Sequence, residues 1–178
     1  MSEDPLFNLK YPIGTYSPPK IILQAHVEGW IDQIKTLPDR LLKTIDGITE
    51  SQLDTPYRPG GWTIRQVIHH VPDSHVSSYI RFKWALTEDN PTIKAYHEDR
   101  WAELFDTKDQ PIQISLDFLN VVHAKLVNIL KGLTDEQLKR TFIHPESGKQ
   151  ISLDWNIGMY AWHGEHHLAH IQSVLENK

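Results

Sequence analysis

The chain reads as all-α, a four-helix bundle built from two related halves, and three observations predict it. Apolar residues recur at three- and four-residue steps through four long segments, the pattern of helices with one buried face. A short segment beginning at Gly47 returns in related form at Gly132. Near the C-terminal end, His163, His166, His167 and His170 fall within eight residues of a segment that is itself helical in pattern.

Taken in order, residues 1–19 carry Pro5, Pro12, Pro18 and Pro19 and predict extended chain. From about Ile21 to Asp46, residues Ile22, Val27, Trp30, Ile31, Ile34, Leu37, Leu41 and Ile45 share one helical face. Pro38 lacks an N–H for the helical ladder, so it should kink this helix or start a second segment. Thr63-Ile-Arg-Gln66 has the form of a capping box and opens a helix to about Leu86. Residues 87–114, interrupted by Pro91 and Pro111, predict irregular chain with a short helix near Glu98–Leu104. A third long helix fits Ser115 to Leu130, through Leu116, Leu119, Val122, Leu126 and Ile129. Residues 141–151 predict a loop or small hairpin, and Ser152 caps a last helix running to about Glu176.

The repeat turns these elements into an architecture. Gly47-Ile-Thr-Glu-Ser-Gln-Leu53 resembles Gly132-Leu-Thr-Asp-Glu-Gln-Leu138, about 85 residues on. Each copy follows a long helix, carries a Thr-x-x-Gln capping box and precedes a loop whose Trp opens another helix. Two packed helix pairs then make a four-helix bundle. The register also pairs two histidines: His70 follows Trp62, and His163 follows Trp155, by the same eight residues.

Composition bounds the function classes. The chain has 178 residues, 39% apolar and 23% charged, and suits a single domain spanning 1–178 with a self-sufficient core. A net charge of −5 without a Lys/Arg stripe argues against nucleic acid or an anionic membrane as partner. The absence of Cys excludes disulfides, thiolate ligands and a cysteine nucleophile. The acidic start Met1-Ser2-Glu3-Asp4 lacks an apolar leader, and no apolar run reaches the length of a membrane span. A cytoplasmic protein is the expectation.

The histidines carry the chemistry. With 11 His in the chain, composition alone supplies an i,i+4 pair about once. Four on one arc of one helix are a stronger signal, and His163 and His167 stand one turn apart, the spacing at which two imidazoles share a metal. Adding His70 from the equivalent helix gives three neutral nitrogen donors and an open position, a set suited to catalytic Zn²⁺, with Ni²⁺ also able to bind.

The other histidines have plainer expectations. His69 points about 100° away from His70 and should be exposed. His75 falls in the apolar stripe and should be a packed core residue with a hydrogen-bond partner. His166 faces the flank, either at the surface or behind the ligands rather than among them, and His170 either supports the ligands, touches substrate or packs. Asp73 either orients a ligand ring, caps another element or is solvated, and Glu165 should face water. Arg65, Arg81 and Lys83 are surface residues by default, and His26, His97, His123 and His144 have no evident partners. No Ser-His-Asp spacing, glycine-rich phosphate loop or Glu-x-x-His pair of the di-iron type appears.

Trp62-Thr-Ile-Arg-Gln-Val-Ile-His-His-Val-Pro-Asp-Ser-His75, together with Trp155-Asn-Ile-Gly-Met-Tyr-Ala-Trp-His-Gly-Glu-His-His-Leu-Ala-His170, strongly resembles the DinB-like superfamily and, within it, the YfiT group. Tyr11-Pro-Ile-Gly14, Tyr79-Ile-Arg-Phe-Lys83 and His144-Pro-Glu-Ser-Gly148 extend the likeness to nearly the whole chain. The resemblance implies a four-helix bundle, a three-His site described with zinc or nickel, and often a homodimer. Its motif, one His on the second helix and His-x-x-x-His on the last, falls on His70, His163 and His167. One departure is Pro72, where similar sequences carry a small helix former. The resemblance further implies a metal-dependent hydrolase, in which the metal activates water against a small electrophilic substrate. Relatives that act as S-transferases on a low-molecular-weight thiol such as bacillithiol supply the alternative. A metal that only staples the helices, or senses without turnover, is the non-catalytic one.

Overall fold

The structure is a computed structural model that describes residues 5–176. In chain order it contains α1 (Phe7–Lys10), α2 (Gln24–Thr44), α3 (Glu50–Leu53), α4 (Ile64–Thr87), α5 (Glu98–Trp101), α6 (Phe105–Asp109), α7 (Ile112–Lys131), α8 (Asp135–Leu138), β1 (Thr141–Ile143), β2 (Gln150–Ser152) and α9 (Leu153–Glu176). The four long helices α2, α4, α7 and α9 form the bundle. The acidic N-terminal residues Met1–Asp4 lie outside the described residues.

The repeated capping boxes form as their sequence dictates. At Thr49, Thr63 and Thr134 the hydroxyl accepts the amide N–H three residues on, while the glutamine there accepts the N–H of the threonine. Each such cap satisfies amides that a helix start leaves orphaned and contributes about 1 kcal/mol. The bundle they lead into is wired differently from the expected pairs. The principal contacts are α2 with α9 and α7, and α4 with α7 and α9, so α2 and α4 stand diagonally opposite. Long connections containing α3, and in the second half α8 and the hairpin, carry the chain across the bundle.

The local differences have local causes. α2 runs unbroken through Pro38 and α4 through Pro72. The tertiary packing of their buried faces outweighs the missing ladder bonds. α7 begins at Ile112, behind Pro111, rather than at Ser115. Ser152 belongs to β2, and its hydroxyl donates to Asp154, whose carboxylate takes the Trp155 N–H at 2.7 Å. The segment expected to be extended contains the single turn α1. The hairpin is antiparallel, with Phe142 opposite Ile151, and Gly148 supplies the positive φ of 63° that its turn needs.

Two apolar clusters fill the bundle. One includes Ile34, Phe82, Leu126, Ile157 and Tyr160; the other includes Leu37, Val71, Leu119 and Leu168. On three of the four helices a polar step separates them: Ser74, His75 and Ser78 on α4, His123 on α7, His163 and His167 on α9. The histidines thus form a layer across the bundle between two hydrophobic ends. On α2 that boundary falls at Ile34–Leu37, where α9 presses close. A Cβ at Gly164 would lie 2.5 Å from Leu37 Cδ2, and one at Gly158 would lie 2.9 Å from the Trp30 ring. Among the described residues no helix is long and apolar enough to cross a membrane.

Candidate metal centre

α4 and α9 are in contact, and their histidines meet inside the bundle. His70, His163 and His167 each offer a ring nitrogen within 4.8 Å of the others, close enough to share one ion. His70 Nε2 and His163 Nε2 are 3.3 Å apart, and Ser74 Oγ lies 3.4 Å from the same His163 nitrogen. The Trp62 ring leans on His70 with centroids 4.6 Å apart. The three rings open onto a pocket of about 910 Å³, whose wall includes Trp62, Tyr96, Arg81, Met159 and His144.

The electrostatics suit a cation. Burial holds His70 at a pKa of about 4 and keeps His163 and His167 well below the ordinary histidine value, with neighbouring rings adding to the effect. The rings are therefore neutral at physiological pH and present lone pairs, the form that binds metal. Nitrogen donors alone, with a side open to a pocket, fit Zn²⁺ or Ni²⁺ and no hard cation such as Mg²⁺ or Ca²⁺.

Further imidazoles stand behind these rings. His75 is fully buried, with Nε2 3.2 Å from His163 Nδ1. His123 Nε2 lies 2.8 Å from His75 Nδ1, and His123 Nδ1 reaches the Ile34 carbonyl. On the other side, His170 Nδ1 is 3.4 Å from His167 Nδ1, while His170 Nε2 is 3.1 Å from the Lys10 carbonyl. His166, His167 and His170 also bring ring nitrogens within 4.8 Å of one another. His166 stacks on Trp162, and its Nδ1 is buried without a partner.

Several expectations need correcting. His69 is buried, not exposed, because α6 and α7 cover that face of α4, and its Nδ1 pairs with Ser115 Oγ at 2.7 Å. His166 is buried too, since the N-terminal segment brings Tyr11 over it. Glu165 does not simply face water: α2 presents Arg40, whose guanidinium donates to it with one bond of 2.8 Å and a second, shorter one. The Asp73 carboxylate bonds no ligand ring; burial and nearby Asp106 raise its pKa to about 6. Arg65 pairs with Asp54 and Glu50, and Lys83 is exposed, whereas Arg81 turns to the pocket and donates to Tyr160 Oη at 3.3 Å. His26 accepts the Leu23 N–H at the start of α2. His123 is the residue that sequence reasoning passed over. Its signal was present: it occupies the apolar stripe of α7, and Pro38 leaves the carbonyl four residues earlier, that of Ile34, without its helical donor.

Comparison with known proteins bears on this site directly. A family model of the DinB superfamily matches residues 33–171, which include all three rings. The chain belongs to the DinB superfamily. Relatives within it include a protein of Bacillus cereus strain B4264, 53% identical over 167 residues, covering 94% of this chain and 95% of its own, and named "Putative metal-dependent hydrolase". A Bacillus thuringiensis subsp. konkukian protein of the same identity and coverage shares that name. The solved structure of YfiT from Bacillus subtilis superposes with a TM-score of 0.92 at 46% identity, covering 95% of this chain and 97% of its own. YfiT is described as a probable metal-dependent hydrolase with an unusual four-helix bundle topology.

Proposed function

We propose that the protein is a metal-dependent hydrolase acting on a small electrophilic substrate, with His70, His163 and His167 as the metal ligands. One observation carries the reading: three neutral imidazoles from two helices converge on one point at the wall of an open pocket. A structural metal site closes its coordination sphere with protein groups, whereas a catalytic one keeps a position free. Zinc bound there would supply Lewis acidity, lowering the pKa of water and polarising a substrate carbonyl or phosphoryl oxygen. The chain's own part is to keep the rings neutral and oriented, and to wall the site with Trp62 and Tyr160. Arg81 and Tyr160 Oη are placed to receive polar substrate groups.

A second reading, transfer of a low-molecular-weight thiol in place of water, has one observation in its favour. The basic side chains of Lys10, Arg58, Arg81 and Lys149 line the pocket against the acids Glu98 and Glu146. That balance suits an anionic thiol or an anionic substrate.

The first experiment is elemental analysis of protein purified without a His-tag or nickel column, for wild type and His163→Ala. The expected result is about one zinc or nickel per chain in wild type and loss of the metal in the variant. Wild-type protein that stays empty after reconstitution would remove the basis for both readings. With the metal established, release of product from activated esters in thiol-free buffer supports hydrolysis; turnover only on adding thiol supports transfer.

A further inference from the structure

Five histidines form two hydrogen-bonded chains that begin at backbone carbonyls and end at two of the proposed ligands. A carbonyl oxygen can only accept, so the proton on His123 must sit on Nδ1, facing the Ile34 carbonyl. That carbonyl is free because Pro38, four residues on in α2, has no N–H to give it. A neutral His123 then has its lone pair on Nε2, which accepts from His75 Nδ1–H at 2.8 Å. His75 in turn accepts on Nε2 from His163 Nδ1–H at 3.2 Å. The lone pair of His163 is thereby placed on Nε2, the nitrogen that faces His70. A shorter chain does the same on the other side. The Lys10 carbonyl takes the Nε2 proton of His170, whose Nδ1 then accepts from His167 Nδ1–H and leaves the His167 lone pair on Nε2.

We infer that His75 and His123, with His170 in parallel, are positioning residues that set the tautomer of the metal ligands, directing the lone pairs of His163 and His167 onto Nε2. The inference rests on the three-His metal reading. Groups that accept a ligand histidine's second N–H fix its ring orientation and raise its basicity, and their loss typically weakens metal binding tenfold to a hundredfold. In most such sites the acceptor is a carboxylate or a backbone carbonyl. Here the carbonyl is relayed through two buried, neutral imidazoles, so His163 receives a fixed acceptor without a second charge inside the bundle. On the same proton count, His166, His167 and His170 would not make an independent metal site, although their ring nitrogens lie within 4.8 Å of one another. The His167 nitrogen nearest His170 is its N–H and not its lone pair.

The test is long-range ¹H–¹⁵N NMR of histidine rings in the zinc-loaded full-length protein, paired with zinc affinity by chelator competition. The expected result is His75 and His123 with the proton on Nδ1. His123→Phe, which leaves His75 without an acceptor, should weaken zinc binding at least tenfold, and His123→Gln, which keeps a donor and an acceptor, should recover most of it. A proton on Nε2 of His75 would overturn the inference, as would wild-type zinc affinity in a folded His123→Phe. If that variant does not fold, the wild-type His75 tautomer decides alone. Two zinc ions per chain, the second at His166 and His170, would overturn the role of His170. Protein that takes up no zinc fails the metal reading itself; normal zinc binding with the reversed tautomer fails only the chain of histidines.

Discussion

His69 and His70 are neighbours in sequence and both buried, yet their environments assign them different work. His70 turns to Trp62 and the α9 rings; His69 turns to Ser115 on α7. His69→Ala should therefore leave metal content at the wild-type level while lowering unfolding stability by about 1–3 kcal/mol, as for loss of a packed, hydrogen-bonded side chain. Elemental analysis beside a urea titration checks both halves, and loss of metal in this variant would put the ligand on the wrong face of α4. At this scale the sequence was informative where two residues share a helix turn: that the rings of His163 and His167 lie together is readable from spacing alone. It was silent where the partner is distant. His123 and Ile34 are 89 residues apart, and the contact uses a main-chain oxygen that no side-chain pattern announces.

Elements are set by caps and by close approach. The three threonine capping boxes could be read directly from sequence, and two of them form the internal repeat, which is why the starts of α3, α4 and α8 were legible. The short turns α1 and α6 were not, because a single turn carries too few residues for periodicity to register. α9 shows a further element-scale constraint, since Gly158 and Gly164 let it lie against α2. Alanine at Gly158 would gain about 1 kcal/mol of helix propensity. It would also force the Trp30 ring and Tyr16 away from the helix, and overpacking of that kind costs about 1–3 kcal/mol. Gly158→Ala should thus be net destabilising, with altered near-ultraviolet circular dichroism from the displaced tryptophan. A stabilised variant with an unchanged spectrum would refute this account of the helix contact.

The whole molecule carries its histidine layer at a cost that depends on pH. His70, His123, His166 and His170 are held at pKa values of about 4, against 6.5 when free, chiefly by burial. Between these values the unfolded chain binds more protons than the folded one, so stability rises with pH across the window. The contribution is complete above about pH 6.5 and is lost as pH falls towards 4. Asp73, raised to about 6 from 3.8, acts in the opposite sense but is one group against four. The metal-free protein should accordingly show a urea midpoint that drops steeply from pH 7 to pH 5, and a flat profile would contradict the buried, neutral rings. At this scale the sequence disclosed the four long helices of the bundle, but not the layer of histidines across it, since His123 had no partner readable from its neighbours. The diagonal arrangement stayed hidden, because which helix faces which depends on how long connections cross the bundle.

The shorter histidine chain ends on the main chain of α1, and this ties the N-terminal segment to the proposed metal site. The Lys10 carbonyl meets His170, the Tyr11 ring lies 5.9 Å from His166, and Trp162 Nε1 donates to the Gly14 carbonyl at 3.2 Å. Residues 7–14 are thus a strap over the last helix. By linkage, whatever factor the docked strap adds to metal affinity, the metal returns to the docking of the strap. Limited proteolysis between residues 11 and 20 should slow when zinc is added, and cleavage there should release zinc more readily. Cleavage rates indifferent to zinc would mean that strap and site are thermodynamically separate.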